Sequence, residues 1–309
     1  MYIIDLLKRI FSSSNVTILI YLILNIGIIT AVVYYLYYIP LWQSLLIGLA
    51  LYIASLIVAL SPFGEWLVRV FNKCRRIKDE NVINFLEPIF VEVKKEAKRQ
   101  APSIPDDVNI FINESSEPFA FATGRKTICI SYGLLSRPEE EIRATLAHEF
   151  GHIAHKDTDV LLMVTVGNLI VQIILIGIRL ILAFIQIIMA FVSLLMGGEH
   201  GLVGGIFTIL YQIAWTVTMG LITWIWNTLG MLLVMRACRD NEYIADSFAC
   251  SLGYADGLCS MLNAVDNAQY KGLFASLVSS HPSKEDRIAR IKSNDLSEER
   301  TMTVNEVFQ

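Results

Sequence analysis

The segment Leu146-Ala147-His148-Glu149-Phe150-Gly151-His152 contains the pattern H-E-x-x-H. With five histidines and 29 acidic residues in 309 positions, chance would supply this pattern in fewer than about one such chain in a hundred. On a helix, His148 and His152 lie on one face one turn apart, so both imidazoles can reach a single tetrahedral zinc. Glu149 is rotated to the side, near enough to meet a water at the metal without ligating. A zinc at this place lowers the pKa of that water towards neutrality, and Glu149 is the base that takes its proton and later delivers it to a leaving amine. The chemistry these residue types suit is metal-assisted hydrolysis.

A zinc needs a third protein ligand. His155 has the right angular position, but seven residues of helix put it roughly 10 Å along the axis from His148, too far for one ion to bridge. No glycine breaks the helix to bring in a later histidine, as it does in the longer H-E-x-x-H-x-x-G-x-x-H form. The better source is Arg239-Asp240-Asn241-Glu242-Tyr243-Ile244-Ala245-Asp246. Glu242 and Asp246 fall one turn apart, so one carboxylate can ligate while the other holds a ligand imidazole. Spacing alone also admits a solvated surface pair.

Several elements must position these groups. Ser136-Arg137-Pro138-Glu139 reads as a helix start, with Ser136 as N-cap, Glu139 closing a capping box and Pro138 in the first turn. Residues 140–145 are good helix text, which places the motif about two turns inside a helix. Thr127-Ile128-Cys129-Ile130-Ser131 alternates as a strand does.

The frame around this polar part is apolar. Of the 309 residues 54% are hydrophobic and 17% charged, with a mean hydropathy of +0.53, which argues against an ordinary soluble domain. Between Arg9 and Glu65 there is no Asp, Glu, Lys, Arg or His, and between Asp159 and Arg236 only Arg179, Glu199 and His200 intervene. A bilayer needs roughly 20 apolar residues per helix, so the first stretch reads as a hairpin with spans at about 15–38 and 41–61, split at Pro40 beside the Tyr34 to Trp42 aromatic cluster. The second region reads as two long helices, 160–196 and 204–235, whose excess length projects past the bilayer. A cleaved signal peptide fits poorly, because the run is too long and a second span follows at once; residues 1–10 read as an amphipathic surface segment. Lys8, Arg9, Arg69, Lys73, Arg75, Arg76, Lys78, Arg236 and Arg239 all fall on one side of these spans, so both termini and the polar part should face the cytoplasm. The expected organisation is a membrane hairpin at 1–62, catalytic portions at 63–159 and 236–309, and a second hairpin at 160–235. An even number of crossings between His152 and Glu242 keeps them on one side. Arg179 lies mid-span and is assigned no role. A net charge of −4 gives no basic surface for nucleic acid. The five cysteines form no C-x-x-C pair, so neither a disulfide framework nor a thiolate zinc cluster is expected.

The chain resembles the HtpX family of integral-membrane zinc metalloproteases within the M48 class. The resemblance rests on His148-Glu149-Phe150-Gly151-His152, Glu242-Tyr243-Ile244-Ala245-Asp246, Ala120-Phe121-Ala122-Thr123-Gly124-Arg125, and His281-Pro282-Ser283 with Glu285-Asp286-Arg287-Ile288. It implies four transmembrane helices and an α+β, zincin-like (gluzincin) domain on the cytoplasmic side of a bacterial inner membrane. It implies one Zn2+ per chain held by His148, His152 and Glu242, with Glu149 as catalytic base and Asp246 behind a ligand. The implied substrates are misfolded or damaged membrane proteins and unfolded polypeptides, degraded in stress-linked quality control. Phe119, Ala120, Phe121, Ala122, Thr123 and Gly124 would lie by the substrate cleft, where an edge strand can pair with an extended peptide. His281 would donate to the oxyanion or cap a loop, and Arg287 would orient a site carboxylate or remain a solvated charge.

Two departures bear on substrate selection: Phe119 stands where the family usually has Asn, and His155-Lys156-Asp157 replaces a small-polar pattern. An intramembrane zinc protease is disfavoured by Glu139, Glu140, Arg143, Lys156 and Asp157 around the motif. A CaaX-type prenyl-protein protease would need more spans than this length supplies. A receptor or scaffold with a structural zinc would have no use for Glu149.

Overall fold

A computed structural model describes residues 2–12, 15–195, 198–264 and 282–293. Helix α1 (Tyr2–Ile10) precedes two apolar helices, α2 (Val16–Tyr37) and α3 (Leu41–Ala59), which pack as a hairpin. Pro40 caps the second of them, and Tyr38 takes a left-handed backbone at the reversal. Leu6 and Ile10 of α1 are buried with Ile18, Tyr21, Leu22 and Tyr52 against Val160, Met163 and Val164.

Helix α4 (Pro62–Phe71) follows directly, started by Ser61, whose hydroxyl accepts from the Phe63 amide, and by Pro62 in the first turn. Helix α5 (Glu80–Gln100) leads into strands β1 (Asn109–Asn113), β2 (Ala120–Thr123) and β3 (Thr127–Ser131). The sheet order is β1-β3-β2, with β1 parallel and β2 antiparallel to β3. All five residues of β3 are buried, so its central place removes the exposed face that an alternating pattern foretells; β1 and β2 are the outer strands, and β1 is bridged on its outer side by Arg75 at Ile112. The β2–β3 turn is pinned by α4: Glu65 accepts from the Arg125 amide and the Thr127 hydroxyl, each at 2.9 Å. Gly124 has φ of +58°, and a Cβ there would fall 2.4 Å from the Glu65 side chain, so this turn requires glycine twice over.

After the short α6 (Tyr132–Leu135) comes α7 (Glu139–Ala154), the motif helix. Its cap is Pro138, not Ser136, which instead closes α6, and no side chain caps α7. Proline pushes its neighbour Arg137 away from helical backbone, so the predicted capping box cannot form. Three glutamates, 139 to 141, occupy the first turn and favour the positive end of the helix. Ile142, Leu146, Ala147 and Phe150 are fully buried against α5, the sheet and α10 (Ala255–Ala264).

Lys156, with φ of +61°, breaks α7 from α8 (Asp157–Leu195), and α9 (Gly198–Ser251) follows. Helix α9 is longer than expected: no glycine or proline lies between Gly230 and Gly253, so the apolar run and the Glu242 block form one helix of 54 residues, about 80 Å long. The expected boundary at residue 235 therefore falls inside a continuous helix. Among the described residues, three segments are long and apolar enough to cross a bilayer, Val16–Tyr37, Leu41–Ala59 and Asp157–Val192, and a shorter apolar stretch of α9 covers Val203–Thr218.

Candidate metal centre

The site lies where α7 crosses the C-terminal part of α9. A Cβ on Gly151 would stand 3.0 Å from Ala245 Cα and 3.2 Å from Phe248 Cβ, so the glycine inside the motif is what lets the two backbones approach. This approach sets His148 and His152 against Glu242 and Asp246. The two Nε2 atoms face each other at 3.2 Å, their ring planes 88° apart. Glu242 places Oε2 3.4 Å from His148 Nε2 and Oε1 3.4 Å from His152 Nε2. One ligand atom from each of the three lies within 4.8 Å of the others.

The opposite ring nitrogens turn to carboxylates: His148 Nδ1 is 2.9 Å from Asp246 Oδ1, and His152 Nδ1 is 3.4 Å from Asp157 Oδ2. A carboxylate at Nδ1 holds the ring proton there. That leaves the Nε2 atom of each ring, the two 3.2 Å apart, as the pair that can ligate one ion. Two imidazole nitrogens and a carboxylate are a donor set that suits zinc. Charge agrees. Glu149, Asp157, Glu242 and Asp246 are all buried; among the described residues Arg287 touches Asp246 and Glu242, and Arg9 touches Asp157. A cluster of buried carboxylates favours a cation beside it.

Arg287 is buried, donates through Nε to Asp246 Oδ2 at 2.8 Å and through Nη2 to Oδ1 at 2.5 Å, and brings Nη1 within 3.1 Å of Glu242 Oε2. It braces both acids in a bidentate fork that lysine could not reproduce. Glu149 is 6% exposed and its carboxylate makes no hydrogen bond or ion pair among the described residues. His155 lies outside the ligand cluster: its Nδ1 donates to Gly151 O at 2.9 Å, its ring meets Phe248 edge-on, and it lines an open 680 Å³ cleft with Tyr243 and Ser247. Phe119 donates its amide to Ser131 Oγ and stacks on Phe121, while Ala120 and Phe121 stay partly exposed on β2 and Ala122, Thr123 and Gly124 are buried. His281 lies outside the described residues.

The sequence did not announce three participants. Asp157 carries the second imidazole, Arg9 of α1 meets Asp157, and Asn241 of α9 meets Arg9 in turn: Arg9 Nε donates to Asp157 Oδ1 at 2.8 Å and Nη2 to Asn241 Oδ1 at 2.7 Å. The signal available was Asp157 itself, five residues after His152 and at the start of a helix.

A model of Peptidase family M48 matches residues 86–295. The chain belongs to that family. This M48 chain is 28% identical over 230 residues to the Protease HtpX of Legionella pneumophila (strain Lens), covering 65% of this chain and 74% of that one. It is 27% identical over 239 residues to the Protease HtpX of the Philadelphia 1 strain, covering 68% and 76%. It is 31% identical over 203 residues to a Protease HtpX homolog of Neisseria meningitidis serogroup B, covering 60% and 65%. As a member of M48 the chain is a metallopeptidase, and its matched region carries H-E-x-x-H and the Glu242 block.

Electrostatics make the centre pH-dependent. Burial disfavours charge on both rings, but Asp246 and Glu242 at His148, and Asp157 and Glu242 at His152, outweigh it and raise both pKa values above the ordinary 6.5. Burial pushes the Asp246 carboxyl up, and His148 and Arg287 more than reverse it, holding it below the usual range. A raised histidine pKa contributes stability that is complete below the unfolded value and lost as pH climbs through the folded one. The unfolding midpoint of chelator-treated protein is therefore expected to fall as pH rises above about 6.5, while the extra stability conferred by zinc widens. Thermal unfolding with and without zinc, from pH 6 to pH 9, checks this; a metal-free midpoint that rises across the window contradicts it.

Proposed function

We propose that this M48 metallopeptidase is an HtpX-type, membrane-bound zinc endopeptidase acting on misfolded or damaged membrane proteins and unfolded polypeptides in quality control. The observation that carries the reading is the convergence of His148 Nε2, His152 Nε2 and Glu242 within 4.8 Å beside a buried Glu149. In this reading His148, His152 and Glu242 hold one Zn2+ per chain. Zinc, when bound, polarises the peptide carbonyl and lowers the pKa of water at the site. Glu149 takes the proton of the attacking water and returns it to the departing amine nitrogen, so water and one peptide bond become a carboxylate and an amine. Asp246 and Asp157 fix the two imidazoles, and Arg287 keeps Asp246 and Glu242 in place. The side of β2 turned away from β3, which pairs with no other strand among the described residues, offers main-chain hydrogen bonds to an extended peptide, with Ala120 and Phe121 at its accessible end and Phe119 beside them.

The proposed architecture is a four-span α-helical membrane protein with an α+β zincin-like (gluzincin) domain, both termini facing the cytoplasm of a bacterial inner membrane. Residues 1–62 and 160–235 supply the hairpins; residues 63–159 and 236–309 supply the domain. The fourth span is the apolar part of α9, whose unbroken course carries Glu242 from the bilayer into the domain. The proximity of that site to the membrane supports membrane proteins as substrates.

Purified full chain in detergent is expected to cleave an unfolded polypeptide such as casein, to lose at least nine-tenths of that rate (about 90%, an order-of-magnitude expectation for a metal-dependent hydrolase) under a zinc chelator, and to regain it with added zinc. A rate indifferent to the chelator would overturn the reading. A reporter fused after Gln309 is expected on the cytoplasmic side; a periplasmic signal would break the orientation.

A further inference from the structure

Helix α1 lies outside the region that the M48 model matches, 86–295, yet one of its side chains ends beside the metal centre. Arg9 is 14% exposed, and its guanidinium spans two elements at once. Nε donates to Asp157 Oδ1 at 2.8 Å, Nη2 donates to the same oxygen, and Nη2 also donates to Asn241 Oδ1 at 2.7 Å. Asp157 gives its other oxygen to His152 Nδ1, and Asn241 immediately precedes Glu242. Both acceptors are buried, at 7% and 5% exposure.

We propose that Arg9 is a positioning residue for the zinc site, acting through Asp157 on His152 and through Asn241 on the turn that carries Glu242. This rests on the reading of His148, His152 and Glu242 as zinc ligands. A carboxylate that must hold an imidazole in one orientation needs its own second oxygen held, and Arg9 supplies that hold. The planar fork matters, since one ammonium could not meet Asp157 and Asn241 with the same geometry. Helix α1 is itself fixed: Leu6 and Ile10 are buried against Val160, Met163 and Val164, and the Arg9 carbonyl accepts from Ser12 Oγ at 2.8 Å and Asn15 Nδ2 at 2.9 Å. The seating of an amphipathic N-terminal helix against α8 and the geometry of two zinc ligands are thereby joined.

The test uses the full chain in detergent and measures zinc affinity by competition with a chromogenic chelator, together with the visible absorption of the cobalt-loaded protein. Arg9→Ala is expected to weaken zinc binding by about 10- to 100-fold, the range for losing an outer partner of a ligand, and to displace or broaden the cobalt bands. Arg9→Lys, the milder change should Arg9→Ala fail to fold, is expected to fall between Arg9→Ala and wild type on both readouts. Lys8→Ala, an exposed neighbour on the same helix, is expected to match wild type. If the folded Arg9 variants bind zinc as tightly as wild type with an unchanged cobalt spectrum, the positioning role is wrong while the ligand assignment stands. If wild type itself binds no zinc, or binds it undiminished in His152→Ala, the underlying reading fails instead.

Discussion

Glu149→Gln is expected to lower peptide hydrolysis by the purified chain at least about a thousandfold, a loss within the range for removing a general acid–base. Zinc content should stay near that of wild type. Glutamine keeps the shape of glutamate but cannot take a proton, so the substitution leaves the cavity filled while removing the proton's route from water to the leaving nitrogen. Glu149 stands outside the three-residue ligand cluster, which is why binding and turnover should separate. Rate and zinc content measured on the same preparation check it. Retained cleavage would show that another group moves the proton, and parallel loss of zinc would make Glu149 a ligand.

Glu242→Ala is expected to lower zinc affinity by more than about a hundredfold, beyond the loss that follows from disturbing an outer partner. His155→Ala should leave it unchanged. The contrast follows from placement. Glu242 reaches both Nε2 atoms at 3.4 Å, whereas His155 spends Nδ1 on Gly151 O and packs its ring on Phe248. Glu242→Ala also takes one acid from Arg287, which keeps Asp246, so the fold should survive well enough for elemental analysis of both variants. Zinc lost from His155→Ala and kept in Glu242→Ala would reverse the assignment.

The local part of this site was legible because helical periodicity is a property of the backbone. His148 and His152 share a face whatever surrounds them, and Glu242 and Asp246 do so in turn. The alternation of 127–131 gave a strand at its observed bounds, and the aromatic cluster with Pro40 gave the first hairpin to within two residues. What periodicity cannot carry is distance across the chain. Arg9 meets Asp157 at a separation of 148 residues and Asn241 at 232, and nothing local in Lys8-Arg9 separates a charge flanking the membrane from one that braces a buried carboxylate. Arg287 has the same ambiguity: the sequence left it between a solvated charge and a partner of a site acid, and only folding packs it beside Asp246 and Glu242. The start of α7 departs from expectation for a different reason, since Ser136 and Glu139 have the spacing of a capping box but Pro138 moves the helix start past the serine. The course of α9 was legible in principle, because the absence of glycine and proline from 231 to 252 permits one helix, yet the change from apolar to charged text at Arg236 suggested a boundary.

In the proposed mechanism His148, His152 and Glu242 together hold one zinc. X-ray absorption at the zinc edge, made on the full chain in detergent alongside metal stoichiometry, tests it most directly. One zinc per chain is expected, surrounded by nitrogen and oxygen neighbours only, with the metal lost when His148 and His152 are both replaced by alanine. A sulfur neighbour, or zinc that stays at full stoichiometry in that double variant, would contradict it.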